Sequence, residues 1–124
     1  MIGLRKLTLL IGISVALIVN ARPALAQSAT AWTGSYFANA NLQGNPAFVR
    51  EDPNIDFAWG NASPGSGIPA DNFSVRWTRW LYLDAPGNWT FVTTTDDGAR
   101  LFIDDQLVID AWQDQQLTTR SVTL

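Results

Sequence analysis

The chain of 124 residues carries 8 basic and 11 acidic residues, has a formal net charge of −3, and contains neither cysteine nor histidine. These absences exclude disulfide bonds, Ser-His-Asp and Cys-His catalysis, and zinc sites built from His or Cys. A metal bound by this chain must be a hard cation held by oxygen ligands, and calcium is the first choice.

The first 26 residues have the pattern of a secretory signal peptide. Arg5 and Lys6 precede the apolar run LTLLIGISVALIV, and the small residues Ala24 and Ala26 follow it, which predicts cleavage after Ala26. A retained membrane anchor is the alternative, but a spanning helix needs about 20 apolar residues and this run is shorter. We therefore expect a secreted, extracellular protein that has no membrane association after cleavage.

The predicted mature chain, residues 27–124, is acidic. It keeps all eleven acidic residues but has five arginines and no lysine, so its net charge is −6. Such a chain lacks the basic surface that attracts nucleic acids or anionic lipid headgroups. Nucleic acid is therefore excluded as a partner.

Short alternating segments separated by Gly, Pro, Asn and Asp predict an all-β fold for the mature chain, an antiparallel β-sandwich or barrel. The composition of residues 60–72 predicts a long surface loop between strands. The predicted strands are Gly34–Phe37, Ala47–Arg50, Asp56–Trp59, Phe73–Leu83, Asn88–Thr95, Ala99–Asp104, Leu107–Ile109 and Thr118–Leu124.

The alternation of apolar residues in these strands predicts that Trp77, Trp89 and Trp112 belong to the core. Trp80 is different, because a shift of the alternation at Thr78-Arg79 is expected to turn it away from the neighbouring apolar residues. Trp80 is therefore a candidate platform for stacking on a sugar ring. The alternative is that it too lies in the core.

The segment TTTDDGARLFIDDQLVIDAW, residues 93–112, holds five of the eleven acidic residues. Asp104-Asp105 is the one two-residue turn candidate between two apolar runs, so it predicts a tight hairpin in which Asp105 adopts a left-handed conformation. Asp96-Asp97 precedes Gly98, and this pair either starts an ordinary turn or forms a ligand loop.

Residues 71–112 resemble the central motif of the PA14 (PA-fourteen) domain family, first described in the anthrax protective antigen. The resemblance extends with lower specificity over residues 32–124 and implies a β-sandwich of the kind found in secreted glycosidases, toxins, proteases and surface adhesins. The matching residues are Val75-Arg76-Trp77, Pro86-Gly87, Trp89-Thr90-Phe91, Asp96-Asp97-Gly98-Ala99-Arg100-Leu101 and Asp110-Ala111-Trp112.

Two departures from the family pattern affect the expected structure. Arg79 and Asp105 stand where the family usually has glycine, so the local strand and turn geometry is expected to differ. The family's last strands would follow Leu124, so we expect a C-terminally truncated domain. A companion domain is expected to have been lost by the same truncation. Arg76 and Arg100, which recur in the family, are expected to pair with acids such as Asp110 on neighbouring strands.

The resemblance also implies a ligand site. In fungal adhesins of the family an Asp-Asp pair joined by a cis peptide bond binds calcium, and the calcium contacts sugar hydroxyls. Asp96 and Asp97 match this pair, which implies calcium as cofactor and glycans or cell-surface polysaccharide as partners. Calcium takes about six to eight oxygen ligands, and the family's remaining ligands lie on a later loop absent from this sequence. Calcium binding by this chain therefore stays open.

Catalysis is not expected. A glycosidase needs two carboxyl groups about 5 to 9.5 Å apart on either side of the scissile bond, and adjacent residues of one loop cannot flank a sugar in this way. The sequence therefore predicts a secreted, non-catalytic carbohydrate-binding module. The alternative is a structural or protein-interaction module of a larger extracellular protein, without a sugar site.

Overall fold

A computed structural model describes residues 3–11 and 30–124, which form eight β-strands and no helix. The predicted all-β, antiparallel fold is thereby confirmed. Within these two ranges, no helix is available that could cross a membrane. The strands are β1 Gly3–Ile11, β2 Trp32–Phe37, β3 Phe48–Asp52, β4 Ser74–Leu83, β5 Thr90–Thr95, β6 Ala99–Ile103, β7 Gln106–Ala111 and β8 Thr118–Thr123.

Six strands form one large sheet in the order β3-β2-β4-β1-β6-β7, and β5 pairs with β8 in a small second sheet. The inner face of the large sheet supplies most of the main core, onto which Phe91 of β5 and Val122 of β8 pack. A smaller cluster around Leu10 and Phe37 lies on the outer face, because successive residues of a strand point to opposite faces. The main core consists of Leu9, Tyr36, Ile68, Val75, Trp77, Ala99, Leu101 and Ile109.

The predicted strands are confirmed with one exception and small shifts at their ends. Residues 60–72 contain no strand, as predicted. The strand predicted at Asp56–Trp59 is wrong, because these residues form a loop. In this loop the ring of Phe57 stacks on Trp59 at 4.8 Å and on Trp77 at 5.9 Å, so side-chain stacking replaces a backbone ladder.

The segment Gly3–Ile11, assigned by its sequence to the signal peptide, forms the central strand of the large sheet. It lies antiparallel to β4 on one side and antiparallel to β6 on the other. The predicted cleavage site after Ala26 lies outside the described residues, and the signal peptide remains a prediction. The sequence pattern thus assigns these nine residues to a signal peptide, whereas the structure places them in the large sheet.

The register of β4 against β1 is continuous from Gly3–Leu83 to Ile11–Val75, so the predicted shift at Thr78-Arg79 is wrong. Unbroken alternation is sufficient to place Trp77 and Trp80 on opposite faces. Trp77 is fully buried in the main core, which confirms its prediction.

The core prediction is only partly correct for the other two tryptophans. Trp112 is partly buried and packs on the outer cluster. Trp89 is also partly buried but lies just before β5, outside both clusters of described residues, and donates its Nε1–H to the carbonyl oxygen of Ala85 at 3.2 Å. The alternation failed for Trp89 because the predicted strand begins before the observed one.

The hairpin between β6 and β7 turns at Asp104-Asp105, as predicted. Both residues have positive φ angles, 48° and 65°, and this combination is the one that a two-residue type I′ turn requires. Across the same hairpin, Arg100 Nε lies 2.7 Å from Asp110 Oδ1, which confirms the predicted pair.

The corresponding prediction for Arg76 is wrong. Among the described residues Arg76 has no ion pair, its guanidinium carbon lies 5.5 Å from the centre of the Phe37 ring, and its buried Nε has no hydrogen-bond partner. Burial lowers the pKa of Arg76. The physical reason is its position on the outer face, where its guanidinium group lies over the Phe37 ring.

Asp52, at the end of β3, is 3% exposed and connects Arg50 with two core residues, Tyr36 and Trp77. Its Oδ2 accepts hydrogen bonds from Tyr36 Oη at 2.5 Å and Trp77 Nε1 at 2.7 Å, and its Oδ1 accepts one from Arg50 Nε at 2.6 Å. Burial alone would raise the pKa of Asp52, but these hydrogen bonds and the charge of Arg50 outweigh it and hold the pKa below its ordinary value. Gly34 leaves room for this group, since a Cβ there would lie 2.7 Å from Asp52 Oδ2.

We expect Asp52→Asn to lower the free energy of unfolding by about 1–3 kcal/mol at neutral pH, because it removes charged hydrogen bonds inside the core. A pKa lowered by folding stabilises the protein above the unfolded value, about 3.9, and this contribution is lost as the pH falls through the folded value. Urea unfolding from pH 7 down to about pH 3 should therefore show a weaker acid dependence in the variant. Parallel curves for both proteins would show that Asp52 does not carry this linkage.

Candidate functional site

Asp96 and Asp97 form the loop that connects β5 to β6, and both side chains are exposed. The peptide bond between them is cis, the feature implied by the resemblance. Gly98 follows, and a Cβ at this position would clash with the backbone of Ala111 and Gln113. The loop therefore packs closely against the end of β7, and it requires glycine at position 98.

Gln115 fixes the Asp96-Asp97 loop to the connection between β7 and β8. Its backbone N–H donates to Asp97 Oδ1 at 3.2 Å, and its side-chain Nε2 donates to the carbonyl oxygen of Asp97 at 3.1 Å. Arg120 in turn donates to Gln115 Oε1 at 3.3 Å. Gln115 was not predicted, because an isolated amide in a loop belongs to no motif and its contact is made only by the tertiary fold.

A cleft of about 1050 Å³ lies between the two sheets, and the Asp96-Asp97 loop is part of its lining. The small sheet has only two strands against the six of the large sheet. Apolar residues from both sheets, including Leu9, Trp77 and Phe91, form much of its wall. The described lining contains no Arg or Lys but has five carboxylates, Asp56, Asp71, Asp96, Asp97 and Asp114.

The donor chemistry of the loop suits calcium, but the number of side-chain ligands is small. Among residues 3–11 and 30–124, no three acidic side chains are close enough to hold a metal ion. Asp96 and Asp97 would supply carboxylate oxygens, while about six to eight ligands are normal for calcium. These two side chains would supply only part of the ligand set that calcium takes, and backbone oxygens, water or a hydroxylated ligand would have to supply the rest.

The structure separates the remaining predicted site residue from this loop. Trp80 is partly buried on β4, pairs in register with Lys6, and lies on the outer face of the large sheet, opposite the cleft. Trp80 and the Asp96-Asp97 pair therefore do not form one site. The acids of the following hairpin have contacts of their own, since Asp104 pairs with Arg5 and Asp110 pairs with Arg100.

Comparison with known proteins identifies the same domain type. The PA14 domain family matches residues 28–124. The anti-sigma-I factor RsgI3 of Acetivibrio thermocellus is 43% identical over 88 residues, which cover 71% of this chain and 14% of that protein. The chain thus spans about one seventh of the length of this curated relative. No solved structure matches the chain significantly.

Proposed function

This chain belongs to the PA14 domain family, and on that basis we propose that it is a non-catalytic, extracellular carbohydrate-binding module that uses calcium. The observation that carries the proposal is the exposed Asp96-Asp97 pair at an open cleft, at the positions that match the family's ligand pair. The ligand class is a glycan or cell-surface polysaccharide. The extracellular location is suggested by the PA14 domain and by the similarity to the anti-sigma-I factor.

Asp96 and Asp97 would hold calcium through their carboxylate oxygens. Bound calcium supplies positive charge and open coordination positions for sugar hydroxyls. Gln115 is a positioning residue, because its N–H on Asp97 Oδ1 fixes the direction of that carboxylate. The sequence offers no histidine or cysteine nucleophile, and two adjacent carboxylates cannot flank a glycosidic bond, so the proposed role is binding alone.

The similarity to an anti-sigma-I factor suggests the context of such a module. In a regulatory protein, a domain of this kind would report the presence of its ligand to the remainder of the chain. The assignment of a sensory role to this chain rests on that relative and on the proposed binding activity.

A protein-interaction module is the second candidate. Two apolar side chains of the cleft lining are highly exposed, Val92 at 61% and Leu117 at 69%. Exposed apolar residues beside the cleft favour contact with another protein surface. A protein ligand would bind without a requirement for calcium, which separates the two candidates.

The proposal is tested by a glycan-array screen of the full chain in calcium and in a chelator. We expect calcium-dependent binding that weakens at least about tenfold in the double variant Asp96→Ala/Asp97→Ala, because the metal loses its protein ligands. The β-rich circular dichroism spectrum should be unchanged, since both side chains are exposed. Asp84→Ala is the matched control, an exposed aspartate that does not line the cleft. Glycan binding that survives both the chelator and the double substitution would contradict the proposal.

A further inference from the structure

The central strand β1 closes the backbone ladders of two neighbouring strands at once. It pairs with β4 over the whole segment Gly3–Ile11 and with β6 from Leu7 to Ile11. Buried backbone N–H and C=O groups need partners, and an open strand edge tends to pair with any available strand. The space between β4 and β6 is therefore a channel shaped for one extended segment, antiparallel to both of its walls.

The segment that occupies the channel has buried apolar side chains on both faces of the sheet. Leu7 and Leu9 are 6% and 7% exposed on the inner face, and Leu10 is fully buried on the outer face. Strands covered on both faces have continuous apolar sequences rather than alternating ones. The run LTLLI at positions 7–11 is continuous in this way. The apolar run of a signal peptide is also continuous, because it forms the hydrophobic region of the export signal.

At the entrance of the channel, acidic side chains face the basic side chains of the segment that fills it. Arg5 Nη1 lies 2.5 Å from Asp104 Oδ2, and Lys6 Nζ lies 3.3 Å from Asp105 Oδ1. The backbone of Lys6 also bonds Asp104 twice, with its N–H donating to Oδ1 at 3.2 Å and its carbonyl oxygen accepting the Asp104 N–H at 3.0 Å. The acidic turn of the β6–β7 hairpin thus contacts the two basic residues that precede the apolar run.

We propose that the channel between β4 and β6, together with the Asp104-Asp105 turn, is a strand-acceptor groove whose occupant is the chain's own segment Gly3–Ile11. The groove selects an extended strand with a basic pair followed by apolar residues on both faces. Its occupation and the signal function of the same residues exclude each other, because the inserted strand buries Leu7, Leu9 and Leu10, at the start of the apolar run that export requires. Cleavage after Ala26 would remove this strand and leave the facing edges of β4 and β6 unpaired.

Trypsin provides a direct test on the full chain. Three basic residues precede Arg50, namely Arg5, Lys6 and Arg22. Trypsin does not cut the bond between Arg22 and Pro23, so Arg5 and Lys6 report on the N-terminal segment. In a limited digest followed by mass spectrometry, we expect these two bonds to be protected to the same degree as the bond after Arg100 in β6.

Two variants separate loss of the strand from loss of the fold. Leu10→Asp should expose Arg5 and Lys6 and speed their cleavage at least about tenfold. Asp104→Asn/Asp105→Asn keeps the core and removes the acidic contacts, so it should speed cleavage after Lys6 by about threefold to tenfold with an unchanged circular dichroism spectrum. Rapid wild-type cleavage at Arg5 and Lys6, with all other sites protected, would overturn the proposal.

Exchange of the occupant gives a second test. A specific protease site inserted between residues 20 and 21 allows the folded full chain to be cut. We expect fragment 1–20 to remain bound during size-exclusion chromatography and to be displaced by excess synthetic Gly3–Ile11 peptide. The same peptide with Leu9→Asp and Leu10→Asp should not displace it. Dimers that exchange their N-terminal segments would also support the groove, whereas immediate release of the fragment from a still folded partner would overturn it.

Discussion

Removal of residues 1–26 is expected to abolish cooperative unfolding of the domain. The deletion takes away the central strand, with three leucines that are buried. Burial of each leucine contributes about 1.5–3 kcal/mol, so the loss approaches the whole stability of a typical domain, about 5–15 kcal/mol. The exposed edges of β4 and β6 would then pair between molecules. We expect fragment 27–124 to aggregate in sedimentation velocity experiments and to show no cooperative transition in urea.

A restored strand is the control for this deletion. A chain in which Gly3–Ile11 is joined to residue 30 by a flexible Gly/Ser linker should recover cooperative unfolding, because it returns β1 without residues 12–29. A monomeric fragment 27–124 as stable as the full chain would instead show that β1 is dispensable.

Trp77→Ala is expected to lower the free energy of unfolding by about 3–5 kcal/mol, the usual cost of truncating a large buried aromatic residue. Trp77 is fully buried, and its ring packs with Phe57 and Trp59. The substitution also removes the hydrogen bond from its Nε1 to Asp52. Urea midpoints monitored by circular dichroism measure the effect.

Trp80→Ala is the matched control, since it removes the same side chain from the same strand on the opposite face. Trp80 is only partly buried, so its truncation should cost clearly less than that of Trp77. A larger loss of unfolding free energy for Trp80→Ala than for Trp77→Ala would contradict the placement of the main core on the inner face of the large sheet.

The strands from β4 to β7 could be predicted because their signals are local. Alternation fixes which face Trp77 occupies, and the absence of any other turn candidate between two apolar runs fixes the Asp104-Asp105 hairpin. The loop at Asp56–Trp59 was misassigned, because aromatic residues that stack on a core tryptophan have the same composition as a short strand.

The place of β1 could not be predicted for a related reason. A continuous apolar run after two basic residues is typical of a signal peptide, and a strand buried on both faces has the same local pattern. Only pairing with β4 and β6 distinguishes them, and that pairing is a property of the whole fold.

The candidate site was predicted in part. The Asp96-Asp97 pair was found by its resemblance to a family motif. The positioning contact from Gln115 and the convergence of Asp56, Asp71 and Asp114 on the cleft join separate loops of the chain. No spacing in the sequence encodes those contacts, because each residue reaches the cleft through a different connection.

Calcium titration of the full chain by isothermal calorimetry tests whether the Asp96-Asp97 loop binds the metal. We expect a saturable heat of binding for the wild-type chain and for Asp84→Ala, and its loss in Asp96→Ala/Asp97→Ala. Identical titrations of the wild type and the double variant would contradict the assignment of the calcium site to this loop.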